Sequence, residues 1–383
     1  MALFHIDELS GRVRGTLNRI MRGIVHGIVR AAGGRKPEVE VEMEVETEVV
    51  EMEEDSATHD ESRGLSALSE DDVRNIFWQA CNPLEPRVAV AFSSASRELW
   101  ALTQAQRLQL RSEHKAAAAL CDKMVIRIGR NAGRSLRCCK TLREARVVEC
   151  DDRRLSVAEM AMLGTLGPVL PWLEEMRLSN RLTPLDGVQR LVAGLGAGAL
   201  PAMTTLAIYN LHVGDAGASA LAAALDRGAL PRLENLTLCK AAIGDLGLVA
   251  LAPALRLLPA LKELYLMSNL FGDEGLAALV APPPPLAGAL LPPKGGLLKL
   301  KKLDLVGDYT QITDAGCAAL ISAFGSGTLP ALETLVLTGI PASAAAQNAV
   351  QKAQLAKQLE MLSDFDLLSP NHIQLFEQLV SSN

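Results

Sequence analysis

The pattern L-x-x-L-x-L recurs along this chain, opening at Leu173, Met203, Leu233, Leu261, Leu300 and Leu332, at steps of 30, 30, 28, 39 and 32 residues. No other feature constrains the fold as tightly, because a unit this short cannot bury its own apolar face and must stack on its neighbours. Inside each copy the apolar positions alternate, as in Leu173/Met176/Leu178, Leu233/Leu236/Leu238 and Leu261/Leu264/Leu266. That is the period of a strand with one buried face. A weaker copy is expected to begin earlier, at Leu142.

Each strand is followed by a turn and then by a helical spacing. The turns read "VGDAG" (213–217), "IGDLG" (243–247), "FGDEG" (271–275) and "ITDAG" (312–316), and the helices "ASALAAAL", "LVALAPAL", "LAALV" and "CAALISAF". Asp215, Asp245, Asp273 and Asp314 stand where a carboxylate accepts hydrogen bonds from the free N–H groups of a helix start, so they are expected to cap their own helices, at about 1 kcal/mol each. Returns such as "GALPAM" and "GTLPAL" close the unit with proline. Aromatic residues make up 3% of the chain, so small, similar packing units replace a core filled by large rings.

These units resemble the ribonuclease-inhibitor-like class of leucine-rich repeats, over roughly Leu142 to Ile340. The resemblance implies an α/β fold: a curved leucine-rich-repeat solenoid, parallel sheet on the concave face and helices outside. The family's Asn, eight residues after the opening Leu, is present only as Asn269, with Asp308 a partial substitute. Arg181, Leu211 and Ala241 hold that place elsewhere, so backbone groups there must find other partners.

A solenoid of this kind binds proteins on its concave face, where the residues between the buried leucines point. Arg177, Tyr209, Thr237, Tyr265, Met267 and Asp304 fall in that set, and Tyr309 follows the fifth strand. Tyr209 and Tyr265 are the favoured anchors, since tyrosine buries much area with few rotamers; good strand propensity is an equal explanation of their presence. The longest step contains "APPPPLAGALLPPKGG" (281–296), read as a surface insertion before it is read as a polyproline ligand.

The divisions expected are a basic amphipathic helix (1–36), an acidic linker (37–62), a helical region (63–135), the solenoid (136–341) and a C-terminal helical cap (342–383). In the helical region, Leu68, Val73, Ile76 and Phe77 mark an amphipathic helix opened by Ser69 with Asp72 three residues on. The order of this segment, closing on Ser96-Arg97-Glu98-Leu99-Trp100, is similar to the F-box motif. That similarity implies docking to the adaptor subunit of a cullin-RING ubiquitin ligase through Leu68, Val73, Ile76, Phe77 and Trp100, with the solenoid choosing substrates. A helical cap sealing the end of the repeats is the competing explanation. The leucine-rich-repeat class also contains activators of small GTPases, which supply residues to another protein's active site.

Residues 1–30 carry Ile6, Leu9, Val13, Leu17 and Ile20 at helical spacing among arginines, a pattern suited to a partner or a membrane surface, although four glycines weaken it. Residues 37–62 hold twelve Asp and Glu and no Lys or Arg, which favours a disordered linker, with folding back onto the basic helix or onto residues 97–154 as the alternative. Residues 97–154 are basic, fourteen Lys and Arg against seven Asp and Glu, but lack interleaved aromatics, so nucleic acid is not an expected partner. Seven cysteines without a C-x-x-C pair, and no recognisable secretory leader, lead to an expected cytoplasmic or nuclear setting. No Walker loop, G-x-G-x-x-G, H-E-x-x-H or G-x-S-x-G occurs, and the six histidines have no ligand spacing. Neither catalysis nor a metal or cofactor is expected.

Overall fold

The computed structural model describes residues 69–129, 138–151, 155–179, 186–282, 297–307 and 309–363. Leu68, the basic and acidic N-terminal segments, Arg181, most of the proline-rich insertion, Asp308 and residues 364–383 of the expected C-terminal cap lie outside the described residues. The chain forms two compact units that divide between Lys115 and Ala116.

The first unit is helical: α1 (Glu70–Ala80), α2 (Arg87–Ser93), α3 (Arg97–Leu102) and the first part of α4 (Gln104–Lys123). Ser69 opens α1 with a reciprocal cap, its hydroxyl accepting from Asp72 N–H while Asp72 Oδ2 accepts from Ser69 N–H, each at 3.1 Å. The spacing of apolar residues on α1 then turns Val73, Ile76 and Phe77 inward, where they pack with Ala89, Phe92, Leu99 and Leu110. Ser96 caps α3 by accepting from Leu99 N–H at 3.1 Å.

The second unit contains β1 (Val125–Arg127), α5 (Cys139–Arg143), β2 (Val147–Asp151), α6 (Val157–Thr165), β3 (Glu175–Ser179), α7 (Gly187–Ala193) and β4 (Thr205–Tyr209). It continues through α8 (Gly214–Asp226), β5 (Asn235–Cys239), α9 (Asp245–Leu257), β6 (Glu263–Tyr265), α10 (Asp273–Val280), β7 (Lys302–Asp304), α11 (Asp314–Gly325), β8 (Thr334–Val336) and α12 (Ala344–Ser363). The strands make one sheet in sequence order, antiparallel between β1 and β2 and parallel thereafter. Met176, Leu206, Leu236, Leu264, Leu303 and Leu335 share one transverse row of that sheet. The register moves the earliest copy: Val148 pairs with Met176 and Cys150 with Leu178, so that copy opens at the buried Ala145. Leu142 belongs instead to α5, where it is fully buried.

The turn aspartates do not cap their own helices. The N-caps of α8, α9, α10 and α11 are Val213, Gly244, Gly272 and Thr313, and each carboxylate reaches across to the next repeat. Asp215 Oδ1 accepts from the N–H groups of Gly244 (2.7 Å) and Gly247 (3.0 Å), and Asp245 Oδ1 from those of Gly272 (2.8 Å) and Gly275 (2.7 Å). Asp273 accepts from the backbone and hydroxyl of Thr313, and Asp314 from those of Ser343, which opens α12. A helix start leaves several N–H groups unpaired, and here a charged acceptor from the preceding unit takes them. The close approach explains the second glycine of the turn: a Cβ on Gly247 would lie 2.5 Å from Asp215 Oδ1, and one on Gly275 2.8 Å from Asp245 Oδ1.

Asn269 is fully buried and satisfies four backbone groups, accepting from the N–H of Ala241 and Ile243 and donating to the carbonyls of Leu238 and Leu266. Where Leu211 stands in the corresponding place, the N–H groups of Val213 and Gly214 turn to the Ala241 carbonyl, at 2.9 and 3.0 Å. At the far end α12 buries Val350, and Leu355 and Leu359 are half-buried. Its Gln354 and Gln358 amides donate to the Glu333 carbonyl at 3.0 and 2.9 Å.

Replacing Asp245 with alanine strands two backbone donors and is expected to cost about 2–3 kcal/mol in urea unfolding. Gly275→Ala is expected to destabilise the wild-type chain by about 2 kcal/mol but the Asp245→Ala chain by less, since the clash is with Asp245 itself. Asn269→Ala is expected to cost about 3 kcal/mol in the same assay.

Candidate functional site

Strand alternation puts the residues between the leucines on the opposite face of the sheet, and the uniform register sets them in rows. The central row runs Glu149, Arg177, Ala207, Thr237, Tyr265, Asp304, Val336. A parallel row runs Val147, Glu175, Thr205, Asn235, Glu263, Lys302, Thr334. On the other side Ser179, Tyr209 and Cys239 align.

Four of the sequence-derived candidates, Arg177, Thr237, Tyr265 and Asp304, therefore share one row, and Tyr209 stands two residues farther along its strand. They differ in access. Thr237 and Asp304 are only 6% and 8% exposed and form the floor, with Asp304 Oδ1 accepting from Val306 N–H at 3.2 Å. Tyr209 and Tyr265 are half-buried. Met267 lies just past β6, where its carbonyl accepts from Lys240 N–H at 2.9 Å. Tyr309 follows β7 in a turn, 61% exposed and outside the rows.

Charge on this face is segregated. Around β1 to β3, Glu149 is buried and accepts from Arg127 (2.9 Å) and Arg177 (3.3 Å), while Arg177 Nε also donates to Glu175 at 2.5 Å. Burial works against the Arg177 charge, but Glu175 and Glu149 outweigh it and hold its pKa above the ordinary arginine value. At β6 and β7 the Tyr265 hydroxyl donates to Glu263 at 2.8 Å, and Lys302 Nζ lies 4.8 Å from the Tyr265 ring centroid. Partial burial, together with that bond to Glu263, raises the Tyr265 pKa. Between the two clusters, β4 and β5 offer only neutral side chains to this face: Thr205, Ala207 and Tyr209, then Asn235, Thr237 and Cys239.

Sequence reasoning overlooked Glu149, Arg127, Glu175 and Lys302, because the pairing of charges 22 and 28 residues apart needs the register of the sheet. The signal available was the recurrence of acidic and basic residues at the same strand position of adjoining repeats.

The candidates in the first unit are placed differently. Val73, Ile76 and Phe77 are spent in its core, whereas Trp100 is half exposed. The seven cysteines are all free thiols. Cys138 is exposed at the start of α5, and hydrogen bonds from Thr141 lower its pKa, whereas burial raises those of Cys121 and Cys139 and pushes Cys81 up to about 12. Among the described residues, no group of three His, Cys, Asp or Glu side chains is placed to hold a metal ion, and no helix is long and apolar enough to cross a membrane.

The leucine-rich repeat family matches residues 259–280, which run from the return loop through β6 and the turn glycines to the end of α10. No curated protein matches the chain.

Glu149→Gln is expected to lower stability by up to about 1 kcal/mol, a modest value because both arginines stay partly hydrated, and the difference is expected to shrink near 1 M salt. Thermal unfolding at low and high salt checks both.

Proposed function

We propose that the chain is a protein-binding scaffold, a leucine-rich-repeat solenoid whose concave face takes up one segment of a partner protein. The observation that carries this reading is the neutral trough on β4 and β5, floored by the buried Ala207 and Thr237, with Tyr209 farther along β4 at one end and Tyr265 beside it on β6. From β3 to β6 is three strand spacings, about 14 Å, and a helix with its side chains measures about 10–12 Å across. A helical segment laid along the trough would cover small neutral side chains while its flanks meet the Arg177–Glu175 and Glu263–Lys302 clusters. Burying neutral side chains costs little desolvation, and charges at the rim set orientation and encounter rate. Tyr265 is already oriented by its bond to Glu263, so little rotamer entropy is lost when a partner covers it.

A narrower reading, a substrate receptor of a cullin-RING ubiquitin ligase, draws support from the compact helical core of residues 70–110, closed by the Ser96-capped helix that carries Trp100. In it the first unit docks to the adaptor and the repeats select the substrate.

Affinity capture from a native lysate tests both levels. The variant carrying Tyr209→Ala and Tyr265→Ala is expected to keep its unfolding midpoint within about 2 °C and to lose at least about tenfold of the captured partner, as for paired hot-spot residues. Unchanged capture removes the trough from consideration. Retention of a cullin adaptor by this variant, with its loss from a chain lacking residues 62–102, is the outcome that supports the receptor reading.

A further inference from the structure

A groove of about 660 Å³ opens on the first unit between α2, α3 and α4. Its walls are apolar and outward-facing: Val90, Trp100 and Leu108 are 42%, 48% and 61% exposed. Its charges are of one sign. Arg107 and Arg111 line it, Arg97 borders the adjoining hollow beside Trp100, and neither hollow is lined by an Asp or Glu. No carboxylate pairs with these three arginines among the described residues. Arg107 is the most constrained: its guanidinium carbon lies 3.3 Å from the Trp100 ring centroid and its Nη2 donates to the Trp100 carbonyl at 2.6 Å. Its Nε is buried without an acceptor. A half-buried guanidinium with an unused donor beside an exposed indole is a site for a carboxylate that arrives with apolar neighbours.

The chain itself carries a segment of that description. Residues 38–54 read "EVEVEMEVETEVVEMEE" and contain no Lys or Arg. Val39, Val41, Met43 and Val45 each have a glutamate on either side, so every apolar side chain of this stretch arrives with carboxylates next to it. We propose that the groove between α2, α3 and α4 is the docking site of this Glu/Val-alternating segment. The valines and Met43 would cover Val90, Trp100 and Leu108, and the glutamates would meet Arg97, Arg107 and Arg111. The tether suffices, since the fourteen residues from Asp55 to Leu68 span up to about 46 Å when extended, more than the roughly 30 Å length of α4. Attachment to the same chain supplies an effective concentration in the millimolar range, so weak contacts are enough. This inference concerns the first unit and does not depend on the reading of the repeats.

Trp100 reports on it directly. With Trp78→Phe and Trp172→Phe in the full chain, Trp100 is the last of the three tryptophans, and its quenching by acrylamide measures whether the groove is covered. Changing Glu38, Glu40, Glu42, Glu44, Glu46 and Glu48 to Gln is expected to raise the quenching constant at least about two-fold, with the helical circular dichroism unchanged. Raising salt from about 0.05 to about 1 M is expected to move the parent chain toward the same value, because the ion pairs are screened. Equal quenching of the two chains at low salt overturns the proposal. So does shielding that deepens as protein concentration rises, which would assign the cover to a second copy.

Discussion

A carboxylate that reaches from one repeat into the first turn of the next holds the units of the second body together. Asp215, Asp245, Asp273 and Asp314 form a chain of such contacts from α8 to α12, each between a side chain at the start of one helix and backbone N–H groups at the start of the following one. The strands are three to five residues long and the helices are built largely of alanine, leucine and glycine, so no unit has much to hold it by itself. Satisfying the free N–H groups of a helix from the neighbouring repeat makes each helix start depend on correct stacking. The turn glycines belong to the same contact, because any side chain at Gly247, Gly275 or Gly316 would occupy the place of the incoming oxygen.

The open face of the sheet inherits its character from that constraint. Equal steps from strand to strand bring residue pairs 28 to 39 positions apart into straight rows, so the chemistry of the face is decided by what each repeat places at equivalent positions. Charge gathers around Glu149, Arg177 and Glu175 and again around Glu263 and Lys302, while the two strands between carry none. Glu149 is the best held of these groups, since two arginines compensate its burial and neither is itself fully withdrawn from water. A surface so divided has a definite direction across the strands, which a uniform polar face lacks.

The helical unit shows the opposite economy. Seven buried residues from α1 to α4 form its core, while Val90, Trp100 and Leu108 stay exposed in one groove with arginines that no carboxylate pairs among the described residues. The groove lies where two short helices, α2 of seven residues and α3 of six, meet the twenty-residue α4.

Much of this was legible in the amino-acid sequence, because period is a local property. The L-x-x-L-x-L spacing located the strands from Leu173 onward, the Gly-Asp turns located the helix starts, and Ser69 with Asp72 marked the first turn of α1. What the sequence could not decide was partnership. An aspartate at a helix start is the same residue whether it caps its own helix or its neighbour's, and only the stacking distance directs Asp245 toward Gly272 and Gly275. The earliest repeat opens at Ala145 because sheet register, and not leucine content, fixes equivalence. Likewise Val73, Ile76 and Phe77 read as an apolar stripe in sequence, and tertiary packing alone committed that stripe to a core and left Trp100 at the surface, since burial depends on which other helices arrive.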